Sequence, residues 1–125
     1  MSKIIPKNVE KILNNEYVPG EIILFKNDFF ILLVDPKNTK DNFHYTAWCK
    51  KNIPSLKYLD LKLFQEILIL KKKLLEENII NKDSIVFIHY PPQFYRLHIH
   101  FVSKKHHFHE PKNHIFYLDD IFPKL

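Results

Sequence analysis

Along Arg96-Leu97-His98-Ile99-His100-Phe101 polar and apolar residues alternate, the two-residue period of a strand with one face in a core. Same-face residues of a strand stand about 7 Å apart, so Arg96, His98 and His100 form a row while Leu97, Ile99 and Phe101 point the other way. Two imidazoles and a guanidinium in a row are suited to gripping and attacking a phosphate. Arg96 is the single arginine, every other cationic side chain being lysine. A planar, permanently charged fork can hold two phosphate oxygens where an ammonium cannot. The row works only if its rings, His98 above all, are open to an incoming phosphate.

The elements that must position this row follow from pattern. Pro6 to Asn15 carries Val9, Ile12 and Leu13 at helical spacing, with Pro6 suited to a first turn and Asn14-Asn15 to an exit. After Pro19-Gly20, the runs Ile22–Phe25 and Phe29–Val34 flank Lys26-Asn27-Asp28 and read as a hairpin. Phe43–Cys49 is an aromatic-rich strand. Asp60 caps a long helix to Glu77, with Phe64, Ile67, Leu68, Lys71 and Leu75 at a 3.6-residue period and Asn78 and Asn81 at its exit. Ser84–Tyr90 is a further strand, followed by the His98 strand and an unassigned tail. The class is α+β: an antiparallel sheet with a short N-terminal helix and one long helix. The Lys71-Lys72-Lys73 run reads as a solvated helix face, and Trp48 and Tyr45 read as core residues ahead of base-stacking platforms.

Size and composition bound the function. The chain has 125 residues, 46% of them hydrophobic, which predicts one domain over residues 1–125. Its apolar runs are too short to span a bilayer, and Met1–Pro6 does not have the pattern of a secretory signal, so an intracellular protein without a membrane partner is expected. A lone cysteine, Cys49, agrees and reads as a small hydrophobe. A formal charge of +5 and a pI near 9.2 favour anionic partners, nucleotides or RNA first. With Gly20 as the only glycine, a glycine-rich phosphate loop is excluded, and phosphate must be held by side chains and isolated amides. Seven histidines lie after residue 88, and His98 and His100 with a loop histidine (His106, His107 or His109) form a rival zinc set. The Cys/His or His/Glu spacing usual for zinc is missing, so no metal is expected.

The His-x-His strand, led by His89-Tyr90-x-Pro92 and two aromatics, resembles the histidine triad proteins, and among them the scavenger mRNA decapping enzymes. Ile12-Leu13, Ile23-Leu24-Phe25, Phe30-Ile31-Leu32, Asp35-x-Lys37, Ile53-x-Ser55-Leu56, the long helix and Lys112-Asn113-His114-Ile115 occur in that family's order. The match is to the catalytic half of those enzymes. The resemblance implies cleavage of the triphosphate bridge of 7-methylguanosine cap nucleotides or short capped RNA. His98 would be the nucleophile, and a covalent nucleotidyl-histidine would be hydrolysed to release 7-methyl-GMP. A neutral imidazole is nucleophilic near pH 7, with its other nitrogen donating to a carbonyl. His100 would bind a phosphate oxygen or protonate the leaving group, and His89 would contact phosphate. Asp35 would meet hydroxyl or N–H donors and Lys37 phosphate, with Gln93, Tyr95 and Lys112 as further substrate contacts. Arg96 stands at the triad's first histidine, Gln93 where a small hydroxyl residue is usual, and the family's cap-stacking tryptophan and base-reading glutamate fall near Asn8 and Val18. The resemblance also implies a homodimer, no cofactor, and a cytoplasmic location with the nucleus as a second compartment. Two rivals stand beside it: a catalytically weak cap- or RNA-binding module, and a hydrolase of dinucleoside polyphosphates or nucleoside phosphoramidates.

Overall fold

A computed structural model describes residues 6–36, 38–39, 42–51, 53, 60–89, 96–104 and 115–118, with His89 described for its backbone alone. The fold begins with α1 (Lys7–Leu13), which starts after Pro6 in extended conformation and buries Val9 and Ile12. Its exit is chemical. Asn15 takes φ 64°, its N–H and that of Glu16 return to the carbonyls of Ile12 and Lys11 at 3.0 and 2.9 Å, and the orphan carbonyls of the last turn are thereby satisfied. Asparagine tolerates this left-handed position because its short polar side chain adds little steric cost.

Strands β1 (Ile23–Lys26) and β2 (Phe30–Val34) form the expected hairpin. Asn27 builds its turn: its Oδ1 accepts from the N–H groups of Phe29 and Phe30, both at 2.8 Å, the local bonding that favours asparagine in turns. Ile23 pairs with Leu33 but Phe25 with Leu32, so Leu24 is an extra residue that bends the outer strand. β3 (His44–Cys49), α2 (Leu61–Glu76), β4 (Ile85–His89), β5 (His98–Val102) and β6 (Ile115–Tyr117) follow. Among the described residues they complete a six-stranded sheet in the order β1-β2-β3-β5-β4-β6, every pairing antiparallel. The class is α+β, and no helix among the described residues is long and apolar enough to cross a membrane.

The sheet has two different faces because side chains alternate along each strand. On one, Phe30, Leu32, Ala47, Cys49, Leu97, Ile99 and Phe101 pack with the buried stripe of α2 in the principal core. Asp60 caps that helix, its Oδ1 accepting from Leu63 N at 2.7 Å. The stripe is Leu63, Phe64, Ile67, Leu70 and Leu74; Leu68, Lys71 and Leu75 lie half-buried at its margin. The helix is thus rotated slightly from the face expected from Phe64, Ile67, Leu68, Lys71 and Leu75, because Leu63 and Leu70 also need cover. On the opposite face α1 lays Val9 and Ile12 on Ile31, Leu33 and Trp48. Trp48 is 6% exposed, a packed residue rather than an open platform, and Tyr45 is half-buried against the principal core. The tail left unassigned by sequence contains β6, whose three residues are too few to show a period; it pairs with β4 through Phe87↔Tyr117, Ile88↔Phe116 and His89↔Ile115.

Candidate active site

Register across β3, β5 and β4 assembles the site on the α1 side of the sheet. Trp48 faces His98 and Thr46 faces His100, while Phe87 on β4 faces His100 from the other side. Direct cross-strand pairs have Cβ atoms about 5 Å apart, close enough for rings to meet. Accordingly the His98 ring stacks on Trp48 with centroids 4.3 Å apart and planes 22° off parallel. His100 stacks on Phe87 at 4.8 Å and 10°, and the two imidazoles meet edge to face at 5.0 Å.

The hydrogen bonds assign protons. His98 Nδ1 lies 2.7 Å from the carbonyl oxygen of Arg96. A carbonyl only accepts, so Nδ1 carries the hydrogen and Nε2 of the neutral ring carries the lone pair. One nitrogen of His98 is thus the donor of that bond and the other holds the lone pair. The ring is only 7% exposed, a correction to the open imidazole expected from sequence. Its cause is local: the indole of Trp48 covers one face of the ring.

His100 is held by another imidazole. Its Nδ1 lies 2.8 Å from Nε2 of His44, and that same Nε2 is 3.8 Å from Asp35 Oδ2, which accepts from the Thr46 hydroxyl at 2.9 Å. A carboxylate beside His44 Nε2 favours a proton there. His44 then donates to His100 Nδ1, and His100 holds its own hydrogen on Nε2, a buried atom. Sequence reading missed His44, which is 2% exposed and was absorbed into an aromatic strand. Its signal was available only as the one histidine before residue 88. The loop before it is pinned, with His44 N donating to Asn38 Oδ1 at 2.8 Å and Asp35 N to the His44 carbonyl at 2.9 Å.

Asp35, His44 and His100 are the one group among the described residues whose ligand atoms, all within 4.8 Å of one another, could hold a metal ion. Nitrogens on one tetrahedral zinc ion, at about 2.0–2.1 Å from it, stand about 3.3 Å apart. The 2.8 Å spacing of His44 and His100 fits a shared proton instead. This group also differs from the rival zinc set, in which His98 joined His100.

Arg96, expected to hold two phosphate oxygens, places two of its donors on backbone carbonyls. Its Nε donates to the Cys49 carbonyl at 2.8 Å and its Nη2 to the Lys50 carbonyl. The residue lies just before β5, half-buried beside the end of β3, where two carbonyls meet the guanidinium fork. Burial lowers its pKa from the ordinary value, and the neighbouring Cys49 acts in the opposite sense. Asp35, expected at donors of a ligand, has Thr46 as its hydroxyl donor. Lys37, Gln93, Tyr95, Lys112, His114, His106, His107 and His109 lie outside the described residues, as does the side chain of His89.

Cys49 is fully buried in the principal core, and burial pushes its thiol pKa up, offset in part by the Lys51 backbone hydrogen bond, Arg96 and Lys51. The unfolded thiol ionises first as pH rises, near about 8.5, so the folded state then holds more protons and stability falls with pH. Denaturant melts between about pH 8.5 and 10 should therefore lose stability less steeply in Cys49→Ala than in the parent. Equal slopes would contradict the burial effect.

Comparison with known proteins places this geometry. The family model described as scavenger mRNA decapping enzyme, C-term binding, matches residues 7–116. No curated protein matches the chain. Among solved structures, a histidine triad protein from Clostridium difficile is similar with a TM-score of 0.60 and 19% identity, over 86% of this chain and 100% of that one. A histidine triad family hydrolase from Legionella pneumophila Philadelphia 1 gives 0.60 and 19%, over 81% and 94%. Hnt3, in complex with DNA and guanosine, gives 0.66 and 14%, over 90% and 73%. These likenesses show the histidine triad fold.

Proposed function

From the chain's membership of the scavenger mRNA decapping enzyme C-terminal family, we propose that it is a nucleotide hydrolase cleaving the triphosphate bridge of 7-methylguanosine cap nucleotides or short capped RNA. The observation that carries the reading is the carbonyl on His98 Nδ1, which leaves the nucleophilic lone pair on Nε2. Nε2 attacks the phosphorus next to 7-methylguanosine: an N–P bond forms, the bridging P–O bond breaks, and the departing nucleoside diphosphate takes the Nε2 hydrogen of His100. Water then attacks the phosphorus of the nucleotidyl-histidine and gives a proton back to Nε2 of His100. A P–O bond forms, the N–P bond breaks, 7-methyl-GMP leaves, and His98 and His100 are both restored.

Asp35 and His44 serve His100 in this scheme, the carboxylate keeping a proton on His44 and hence the donor hydrogen on Nε2 of His100. His89, Lys37 and Lys112 supply charge to the phosphates, and Gln93 and Tyr95 hydrogen bonds; preorganised cations and donors of this kind can stabilise the transition state without a metal ion. A fold neighbour that holds guanosine supports a guanine nucleoside as the substrate's base. The protein acts as a homodimer in the cytoplasm and nucleus under this reading.

The test is a substrate panel with EDTA present: 7-methyl-GpppG, GpppG, a diadenosine polyphosphate and an adenosine phosphoramidate, with products separated by chromatography. The expected result is 7-methyl-GMP as the fastest-formed product. Preference for the diadenosine or phosphoramidate substrate would move the assignment to those classes. Binding of 7-methyl-GpppG without product would make the chain a binding module, and loss of turnover to EDTA would overturn the metal-free scheme.

A further inference from the structure

Arg96 occupies the outer position of the histidine row, yet among the described residues its guanidinium bonds protein carbonyls. Nε and Nη2 of a guanidinium are parallel donors fixed in one plane. Here they meet two consecutive carbonyls, those of Cys49 and Lys50. These residues directly follow Trp48, the floor under the His98 ring. The same short stretch at the end of β3 therefore anchors the Arg96 side chain and supports the His98 imidazole. The neighbouring backbone is tied to it as well: Cys49 N donates to the Leu97 carbonyl at 3.0 Å, and Leu97 N to the Ile53 carbonyl at 2.6 Å. The Arg96 carbonyl lies between the anchored Arg96 side chain and these Leu97 ties, and its direction decides which nitrogen of His98 holds the hydrogen.

We propose that Arg96 is a positioning residue, its guanidinium clamped on the Cys49 and Lys50 carbonyls so that its own carbonyl holds the Nδ1 hydrogen of His98 and keeps Nε2 as the attacking nitrogen. The proposal rests on the reading of His98 as nucleophile, but its first consequence, a single tautomer of His98, exists without substrate. Lysine cannot replace the clamp, because one ammonium does not reproduce two coplanar donors on a rigid plane. A phosphate-binding arginine would behave differently. Its loss would weaken substrate binding while leaving the tautomer alone.

The experiment is nitrogen-15 NMR of histidine-labelled protein, with His98 assigned by its disappearance in His98→Gln. In the parent, neutral His98 is expected wholly as the Nδ1–H form; an Nε2–H form overturns the proposal. In Arg96→Lys and Arg96→Met the Nε2–H form is expected to appear at roughly a tenth or more, with kcat on the order of tenfold lower and KM within about twofold. Lys104→Arg, at an exposed lysine, should change none of these. Persistence of the single tautomer, or a KM raised about tenfold with kcat intact, would show a phosphate contact instead. If both Arg96 variants fail to fold, the parent still decides. Arg96 is the only arginine, so its Nε–H signal is unambiguous, and protection of that hydrogen from solvent exchange is expected whereas exchange at the rate of an open side chain overturns the clamp. Should the parent turn over none of the substrates, the functional reading falls, and the tautomer and exchange measurements still decide the clamp.

Discussion

His98→Ala should reduce release of 7-methyl-GMP from 7-methyl-GpppG by on the order of 10⁴-fold or more, the scale seen when a covalent nucleophile is removed. The argument is one of irreplaceability. Water lacks the positioned lone pair of Nε2, and no other imidazole among the described residues can substitute: the His44 and His100 rings are committed to each other at 2.8 Å. The loss should fall on kcat, because the phosphate-contacting groups remain. Added imidazole should restore part of the rate by entering the space above Trp48 and forming the same kind of phosphoramidate. His100→Ala should be milder, on the order of 10²–10³-fold, the range for a general acid. That deficit should shrink for substrates whose leaving group needs no proton. His98→Ala is also expected to stay folded, and Trp48, the single tryptophan, provides the control: its emission should shift as the stacked His98 ring is lost while the far-UV signal is kept. Turnover by His98→Ala at even a tenth of the parent rate would remove the nucleophilic role.

How much of this could be read in advance depended on whether the determining interaction is local. Alternation along Arg96–Phe101 gave the two faces of β5, because side-chain direction in a strand is fixed by parity. Asp60 and Asn27 announced a helix start and a turn, since each bonds backbone groups two or three residues away. The Asn14-Asn15 exit of α1 was legible for the same reason. His44 was not. Its role comes from a partner 56 residues along the chain, and only the β3–β5 register, His44 opposite Val102 and Thr46 opposite His100, brings the two rings to one place. Nothing in His44-Tyr45-Thr46 by itself indicates that pairing. The direction of Arg96 was hidden in the same way, because its carbonyl partners are backbone atoms whose positions no side-chain pattern encodes. Asp35 was found by motif, but its placement beside Thr46 and His44 depended on the loop that Asn38 ties down. The exact face of α2 escaped because Leu63, Leu68, Leu70 and Leu75 are all apolar, and periodicity cannot choose between overlapping stripes that the sheet alone distinguishes.

Phe101→Ala should destabilise the fold by about 3–5 kcal/mol, the cost of emptying a large aromatic site in a core. The side chain is fully buried on the α2 face, with Tyr45 as its neighbour on β3 and Val86 on β4. It lies between strands rather than at an edge, so the cavity cannot be closed by a moving chain end, and the upper part of the range applies. Against the roughly 5–15 kcal/mol available to a domain, this is a large fraction and should lower the urea midpoint in proportion. Phe101→Leu keeps most of the volume and should cost less, about 1–1.5 kcal/mol. The informative comparison is activity per folded molecule. Phe101 neighbours His100 in sequence but points through the sheet to the other side, so Phe101→Leu should retain parental kcat and KM once the folded fraction is counted. Comparable losses of kcat and stability in Phe101→Leu would mean that the histidine row depends on packing beneath the sheet as well as on Trp48, Phe87 and Arg96 around it. A cost below about 1 kcal/mol for Phe101→Ala would contradict a close-packed core at this strand.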